Sequence, residues 1–297
     1  MSGVIRRYEE GGSSMKLLRY GPLGVEKPGL LDDKGIIRDL SGEIDDISGA
    51  VLDQPSLARL AALDAGALPA VDGDVRLGAP LADVRSFIGV GLNYADHAAE
   101  AGMAIPAEPV LFNKLANSIC GANDDVIQPR GGTQLDYEVE LAFVVGRRAA
   151  YVDEADAQGY IAGYCICNDV SERSFQIERG GQWMKGKSCE TFGPLGPWLV
   201  TSDEIGDAQN LQLSLSVNGR LRQDGTTSRM IFPVPFLLHY ISQFMVLEPG
   251  DVVTTGTPPG VAMGRKPPIW LQPGDEVTLA VEGLGQQRQK VVAWSAS

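Results

Sequence analysis

Two glutamates two residues apart, Glu138 and Glu140, stand in the run Leu135-Asp-Tyr-Glu-Val-Glu-Leu-Ala-Phe143, which otherwise has the composition of a buried β-strand. Side chains alternate along a strand, so residues i and i+2 share a face. Tyr137, Val139 and Leu141 then fill one face while two carboxylates crowd the other. Like charges that close repel, and each resists desolvation. A divalent cation is the simplest way to keep both ionised; the alternative is a solvated strand face. Asp169 favours the cation, because it closes a second apolar run, Tyr160 to Cys167. Three carboxylates from two strands make an all-oxygen site suited to Mg²⁺ or Mn²⁺, with positions left for water or substrate. No zinc-type constellation competes. The two histidines are His97 and His239, and the four cysteines (Cys120, Cys165, Cys167, Cys189) form no Cys-x-x-Cys pair.

Other polar residues could serve such a site. His97 and Glu100 lie three apart in Asn93-Tyr-Ala-Asp-His-Ala-Ala-Glu-Ala101, a stretch of helical propensity. On a helix they are neighbours, so Glu100 can orient an imidazole that takes a proton from water; an ordinary surface pair is the alternative. Gly89, Gly91 and Gly102 around them suggest a mobile lid. Arg173 and Gln176 follow Asp169 by four and seven residues, which a helical turn would bring to one face. Lys187, between Gly186 and Ser188, could anchor a substrate carboxylate or stabilise developing negative charge. Thr257, after Gly256 and before two prolines, could present its hydroxyl to a ligand, and Lys114 is a further candidate for the same pocket. His239 lies in an apolar helical run and is read as structural, and Trp183, Trp198 and Trp270 as core or interface aromatics.

These residues need a scaffold. The 297 residues can bury a large core, and 36 glycines and 18 prolines punctuate short strand-like runs, favouring a β-rich body. Residues 1–14 are polar and aperiodic and are set aside as a disordered extension. Residues 15–80 hold a strand from Met15, a second strand at Gly35–Leu40 and a helical patch at Ser56–Leu63, enough for a small N-terminal α+β domain; residues 81–297 form the catalytic domain. Leu-x-Pro-Gly-Asp-x-Val-Thr occurs at Leu247–Thr254 and again at Leu271–Thr278, suggesting equivalent strands of one rolled sheet. A net charge of −13 argues against a nucleic-acid or anionic-membrane partner. The absence of a long apolar span and the unpatterned cysteines point to the cytoplasm.

With these residues in place, the sequence from about Phe87 onward resembles the fumarylacetoacetate hydrolase family. The motifs occur in the family's order: Phe87-Ile-Gly-Val-Gly-Leu-Asn-Tyr-Ala-Asp-His97, Asp136-Tyr-Glu-Val-Glu140, Asn168-Asp-Val-Ser-Glu-Arg173, Lys185-Gly-Lys-Ser188 and Thr255-Gly-Thr-Pro-Pro-Gly260. Within that family, Gln176–Trp183 and Lys187–Trp198 are most similar to bacterial members that cleave 2,4-diketo-3-deoxy-L-fuconate, near which ureidoglycolate lyase names also occur. The resemblance implies an α+β, mainly β fold built on a rolled mixed sheet, Mg²⁺ or Mn²⁺ on Glu138, Glu140 and Asp169, and a homodimer. It implies hydrolysis of a carbon–carbon bond in a 2,4-diketo acid through a metal-stabilised enolate, with His97, Glu100 and Lys187 catalytic and Arg173, Gln176, Thr257 and Lys114 holding the 2-oxo acid. Lyase or isomerase chemistry on the same enolate (oxaloacetate decarboxylation, ureidoglycolate cleavage or tautomerisation of an unsaturated hydroxy acid) is the alternative, and a catalytically silent metal- or metabolite-binding protein is a third class. Larger two-domain members take a fourth ligand from an earlier aspartate; Asp124 and Asp125 are the only candidates, in a turn-like run, so three protein ligands are expected.

Overall fold

The computed structural model describes residues 15–100 and 104–296, with the backbone alone at residues 97–99. The expectations for residues 1–14 and for Gly102 therefore lie outside the described residues. The chain begins with β1 (Lys16–Tyr20), β2 (Lys27–Leu31), β3 (Ile37–Asp39) and α1 (Gln54–Ala61). Then come β4 (Phe87–Gly91), α2 (Ala95–Glu100), β5 (Val110–Lys114), β6 (Ile119–Gly121), β7 (Val126–Gln128), β8 (Leu135–Asp136) and β9 (Val139–Val145). The middle adds β10 (Ile161–Asn168), β11 (Ser171–Glu172), α3 (Arg173–Ile177), α4 (Met184–Lys187) and β12 (Gly193–Thr201). The remainder is α5 (Ser202–Ile205), β13 (Gln212–Val217), β14 (Arg220–Thr226), α6 (Val234–Ser242), β15 (Val252–Thr254), β16 (Glu276–Val281) and β17 (Gly285–Ala293).

A large mixed sheet runs β3-β2-β1-β12-β10-β9-β15-β4-β5, with β6 beside β12, and a second runs β14-β13-β16-β17-β7. The strands do not close into a barrel. β9 and β10 lie at the centre and are buried on both faces, which is why they read as unbroken apolar runs. Alternation assigns their side chains to two cores. Leu141, Phe143, Tyr164 and Ile166 join the core that includes Leu213, Leu215, Val277 and Leu279 of the second sheet. Ala142, Val144, Cys165 and Cys167 face the other way, against Leu17, Leu40, Ile47 and Leu60 of the N-terminal segment. The outer strands β13, β16 and β17 alternate buried and accessible positions, as expected for a sheet with one wet face.

The N-terminal segment contains one strand more than expected, β2, and is tied to the large sheet through antiparallel pairing of β1 with β12. The expected helical patch is α1, capped by Asp53, whose carboxylate accepts from Ser56 N at 2.7 Å. The two Leu-x-Pro-Gly-Asp copies are not equivalent strands of one sheet: β15 lies in the large sheet and β16 in the second. The repeat instead encodes a turn. Gly250 and Gly274 take φ of +91° and +100°, and Asp251 and Asp275 each accept a backbone N–H three residues back at 2.8 Å.

Candidate active site

Glu140 lies near the start of β9, opposite Cys167, and continues the face begun by Ala142 and Val144. Glu138 sits just before the strand, where β8 and β9 break apart, and its carbonyl accepts Asp169 N at 2.9 Å. That bond sets the residue after β10 against the residue before β9. Carboxylate oxygens of Glu138, Glu140 and Asp169 then lie within 4.8 Å of one another, all three residues buried.

Among the described residues, three cations surround them. Lys187 Nζ bridges Glu138 Oε2 at 2.7 Å and Asp169 Oδ2 at 2.6 Å. Arg173 pairs with Glu138 Oε1 and, at 2.9 Å, with Asp136 Oδ2. Lys114 Nζ stands 2.6 Å from Asp169 Oδ1, but at an angle that leaves this buried oxygen without a hydrogen-bond donor. Counting Asp136 with the triad gives four carboxylates against three cations, one negative charge in excess. The excess falls on Glu140, whose oxygen accepts only a backbone N–H among the bonds described, from Gly256 at 2.8 Å. Burial, with Asp169 and Glu138 beside it, pushes its carboxyl well above the ordinary range. Burial alone would lower Lys187, yet the charges of Asp169 and Glu138 outweigh it and raise the ammonium. An undercompensated carboxylate, an oxygen lacking a donor and an all-oxygen ligand set fit a hard divalent cation. Tyr94 adds a buried hydroxyl with no hydrogen-bond partner among the described residues, raised by burial and by Glu140 and Asp96.

The helices explain how distant residues arrive. Glu172 caps α3, accepting Ser174 Oγ at 2.6 Å and Gln134 N at 2.9 Å, so that Arg173 and Gln176 project from one turn. Asp169 lies outside that helix, before β11, so the helical relation expected from Asp169 onward holds only for the later pair. Arg173 Nη1 donates to Gln176 Oε1 at 3.0 Å. α4 packs on α3 so closely that a Cβ on Gly186 would lie 2.4 Å from Glu172 O, which explains that glycine and fixes Lys187 next to it. Glu100 Oε2 accepts Gly260 N at 2.9 Å, tying α2 to the loop that carries Thr257. His97 belongs to α2, but its side chain lies outside the described residues, so the anticipated dyad is placed at Glu100 only.

The triad, Arg173, Gln176, Lys187 and Thr257 all border one cavity of about 230 Å³. Several expectations change there. Thr257 gives its single hydroxyl proton to Val139 O at 2.9 Å and accepts from Gln223 Nε2 at 2.7 Å, so toward a ligand it can only accept. Lys114 does not border the cavity; it is buried behind Asp169 and donates to Lys187 O at 2.6 Å, which makes it a support of the site rather than a substrate contact. Trp183, read as a core or interface aromatic, borders the cavity. Asp124 is bound to Arg76 at 2.6 Å and to Gly121 N at 2.7 Å and is no ligand. His239 Nδ1 lies 2.7 Å from Val152 O, a packing role as anticipated, and Cys165 and Cys167 are buried free thiols.

A buried amide network went unnoticed in the sequence. Asn168 Oδ1 accepts Glu138 N at 3.1 Å while its amide donates to Gln289 Oε1 at 3.0 Å. Gln223 Oε1 accepts Val139 N at 3.0 Å. These amides satisfy the backbone where β8 breaks from β9, the break that lets Glu138 turn inward. Asp136 accepts Tyr137, Ala262 and Met263 N–H groups at 2.8, 2.7 and 3.1 Å besides Arg173. Asn168 adjoins a ligand position in sequence, Asp136 lies two residues from one, and both could have been suspected; Gln223 and Gln289 come from strands of the second sheet and carry no signal.

Comparison with known proteins identifies relatives of the whole fold. Residues 86–292 match the family model described as fumarylacetoacetate (FAA) hydrolase C-terminal. A Burkholderia orbicola (strain MC0-3) protein, whose name proposes a hydrolase without a substrate, is 57% identical over 277 residues, 93% of this chain and 98% of that one. The solved fumarylacetoacetate hydrolase from Exiguobacterium antarcticum superposes with a TM-score of 0.84 at 37% identity, covering 95% of this chain and all of that one. The 5-carboxymethyl-2-hydroxymuconate delta-isomerase from Mycobacterium smegmatis gives 0.73 at 33% identity, with 95% and 100% covered.

Proposed function

The chain belongs to the fumarylacetoacetate hydrolase family, and on that premise we propose that it hydrolyses a carbon–carbon bond in a 2,4-diketo acid of the acylpyruvate type. The observation that carries this reading is the undercompensated triad of Glu138, Glu140 and Asp169 opening into a small cavity beside Arg173, Gln176 and Lys187. Glu138, Glu140 and Asp169 would hold Mg²⁺ or Mn²⁺, which would supply Lewis acidity to a 2-oxo acid. The chain's own groups do the rest. Gln176, with its carbonyl engaged by Arg173, has its amide N–H groups to offer a substrate oxygen. Lys187 stays charged between two carboxylates and stabilises negative charge as it develops. The role proposed for His97, with Glu100 three residues on, is to take the proton of the attacking water. The water oxygen bonds to C4, the C3–C4 pair departs to C3, and protonation there gives pyruvate and a carboxylic acid. The group beyond C4 is the open variable, and the resemblance to members acting on 2,4-diketo-3-deoxy-L-fuconate offers a polyhydroxylated one.

The name of the Mycobacterium smegmatis neighbour favours a second reading on the same site, isomerisation, which moves protons and needs no water attack; lyase chemistry shares that economy. One kinetic comparison separates them. Chelator should abolish cleavage of a 2,4-diketo acid, followed as pyruvate release, and Mg²⁺ or Mn²⁺ should restore it. His97→Ala should lower that turnover about 10²–10⁴-fold and touch oxaloacetate decarboxylation far less, both expressed as transition-state free energies. Oxaloacetate turnover far above diketo-acid cleavage in the unaltered enzyme would select the lyase, and chelator-resistant cleavage would remove the metal from the mechanism.

A further inference from the structure

Away from its ionic end the cavity is bordered by apolar residues, among them Leu92, Phe112, Ile177, Trp183 and Met263. The wall is built by design of the backbone beneath it. Gly89 and Gly91 are two apart on β4 and share a face. A Cβ on Gly89 would lie 2.2 Å from the Phe112 ring, and one on Gly91 would lie 2.6 Å from the Trp183 ring. The two glycines thus leave room for an aromatic pair whose centroids are 5.6 Å apart with planes at 56°. Leu92, next along, holds a φ of +57°, a conformation non-glycine residues seldom take, and still places its side chain in the wall. Lys187 Nζ lies 5.0 Å from the Phe112 centroid, so the aromatic surface begins directly beside the ammonium that bridges Glu138 and Asp169. A substrate head bound at the triad therefore sends its next carbons along this wall. Its volume, about 230 Å³, is below the roughly 300–1,000 Å³ usual for drug-sized ligands. Among the described residues, the polar side chains that border the cavity belong to the ionic end, apart from the indole N–H of Trp183. Hydroxyls on a tail would be desolvated there with no side chain among the described residues along that wall to pair with, the indole N–H of Trp183 apart.

We propose that the group beyond C4 is short and apolar, an alkyl or aryl chain seated against Phe112 and Trp183, and that Trp183 selects it over a polyhydroxylated tail. The proposal rests on the preceding reading in one respect, the 2-oxo acid head at the triad. Affinity for non-cleavable 2-oxo acids tests it without turnover. Titration calorimetry in MgCl₂ compares pyruvate, 2-oxobutanoate, 2-oxopentanoate and 2-oxohexanoate with 2-oxo-4-phenylbutanoate and 2-keto-3-deoxygluconate. Binding should tighten about fourfold per added methylene. The polyhydroxylated acid should bind about 10- to 100-fold more weakly than the phenyl one. Trp183→Ala should flatten the methylene series, and Trp183→Phe should keep most of its slope. A flat series in the unaltered protein, equal or tighter binding of the polyhydroxylated acid, or no binding of any 2-oxo acid overturns the proposal. Turnover is a separate readout: failure to cleave any 2,4-diketo acid sinks the hydrolase reading and leaves the affinity order to decide the tail.

Discussion

Replacing Lys114 by methionine separates a support of the site from a substrate contact. The side chain is buried, 2.6 Å from Asp169 Oδ1 and 2.6 Å from Lys187 O, with both ion-pair partners fully enclosed. Methionine keeps the unbranched shape and removes the charge. Asp169 then loses a counter-ion and Lys187 O loses a donor. Breaking one side of a buried ion pair costs about 3–5 kcal/mol. At about 2.1 cal/mol/K per residue, the unfolding entropy of 297 residues is roughly 0.6 kcal/mol/K, so Tm should fall by about 5–8 °C in chelator.

The same substitution has a second, opposite signature. Four carboxylates would face two cations, doubling the excess negative charge around the triad. A divalent cation should then stabilise the variant more than the unaltered protein, so the Tm gap narrows in saturating MgCl₂. Thermal unfolding in EDTA and across a MgCl₂ series reads both effects. A variant within 1 °C (about 0.6 kcal/mol) of the parent in chelator, or a smaller metal-induced rise, would refute the charge argument. A lysine that bound substrate would instead raise KM and leave Tm nearly alone.

Two further substitutions probe the supports of the site. Gly186→Ala places a methyl 2.4 Å from Glu172 O and 2.5 Å from Gln176 N, forcing α4 off α3 and displacing Lys187; turnover should fall about 10²-fold with the circular dichroism spectrum kept, and normal turnover would show that Lys187 tolerates the shift. Asn168→Leu strands Glu138 N and Gln289 Oε1, so chemical denaturation should show a loss of about 1–3 kcal/mol per unpaired group, and an unchanged midpoint would mean that the network contributes nothing.

The central strands and the triad were legible because their signal is local. Period-two alternation across Tyr137–Leu141 separated the faces correctly, and the i, i+3 relation of Arg173 and Gln176 survived as a helical turn. What the sequence hid depends on long-range approach. β2, with proline and glycine in Lys27-Pro-Gly-Leu-Leu31, lacks a strand pattern and exists because β1 and β3 pair with it on either side. The Leu-x-Pro-Gly-Asp copies were misassigned for a related reason: the residues that make a turn are local, whereas the sheet a strand joins is not. Trp183 looked like packing because its neighbour Gly91 is more than ninety residues away. Gln223 and Gln289 look like solvent-facing polar residues of outer strands until the β8–β9 break supplies them with buried partners.

The charge balance connects folding to chemistry. Among the described residues, three buried cations hold the carboxylates in position with one negative charge to spare. Addition of a divalent cation turns that excess of one negative charge into one positive charge. The monoanionic head of a 2-oxo acid then restores neutrality in a place where burial makes any residual charge costly. Cation and acid should therefore bind with positive coupling, each raising affinity for the other by the same factor. The apolar wall strengthens the effect, since it keeps water from screening those charges. Selection at the two ends of the cavity follows different physics, ionic at the triad and dispersive along Phe112 and Trp183, and the substrate must satisfy both at once.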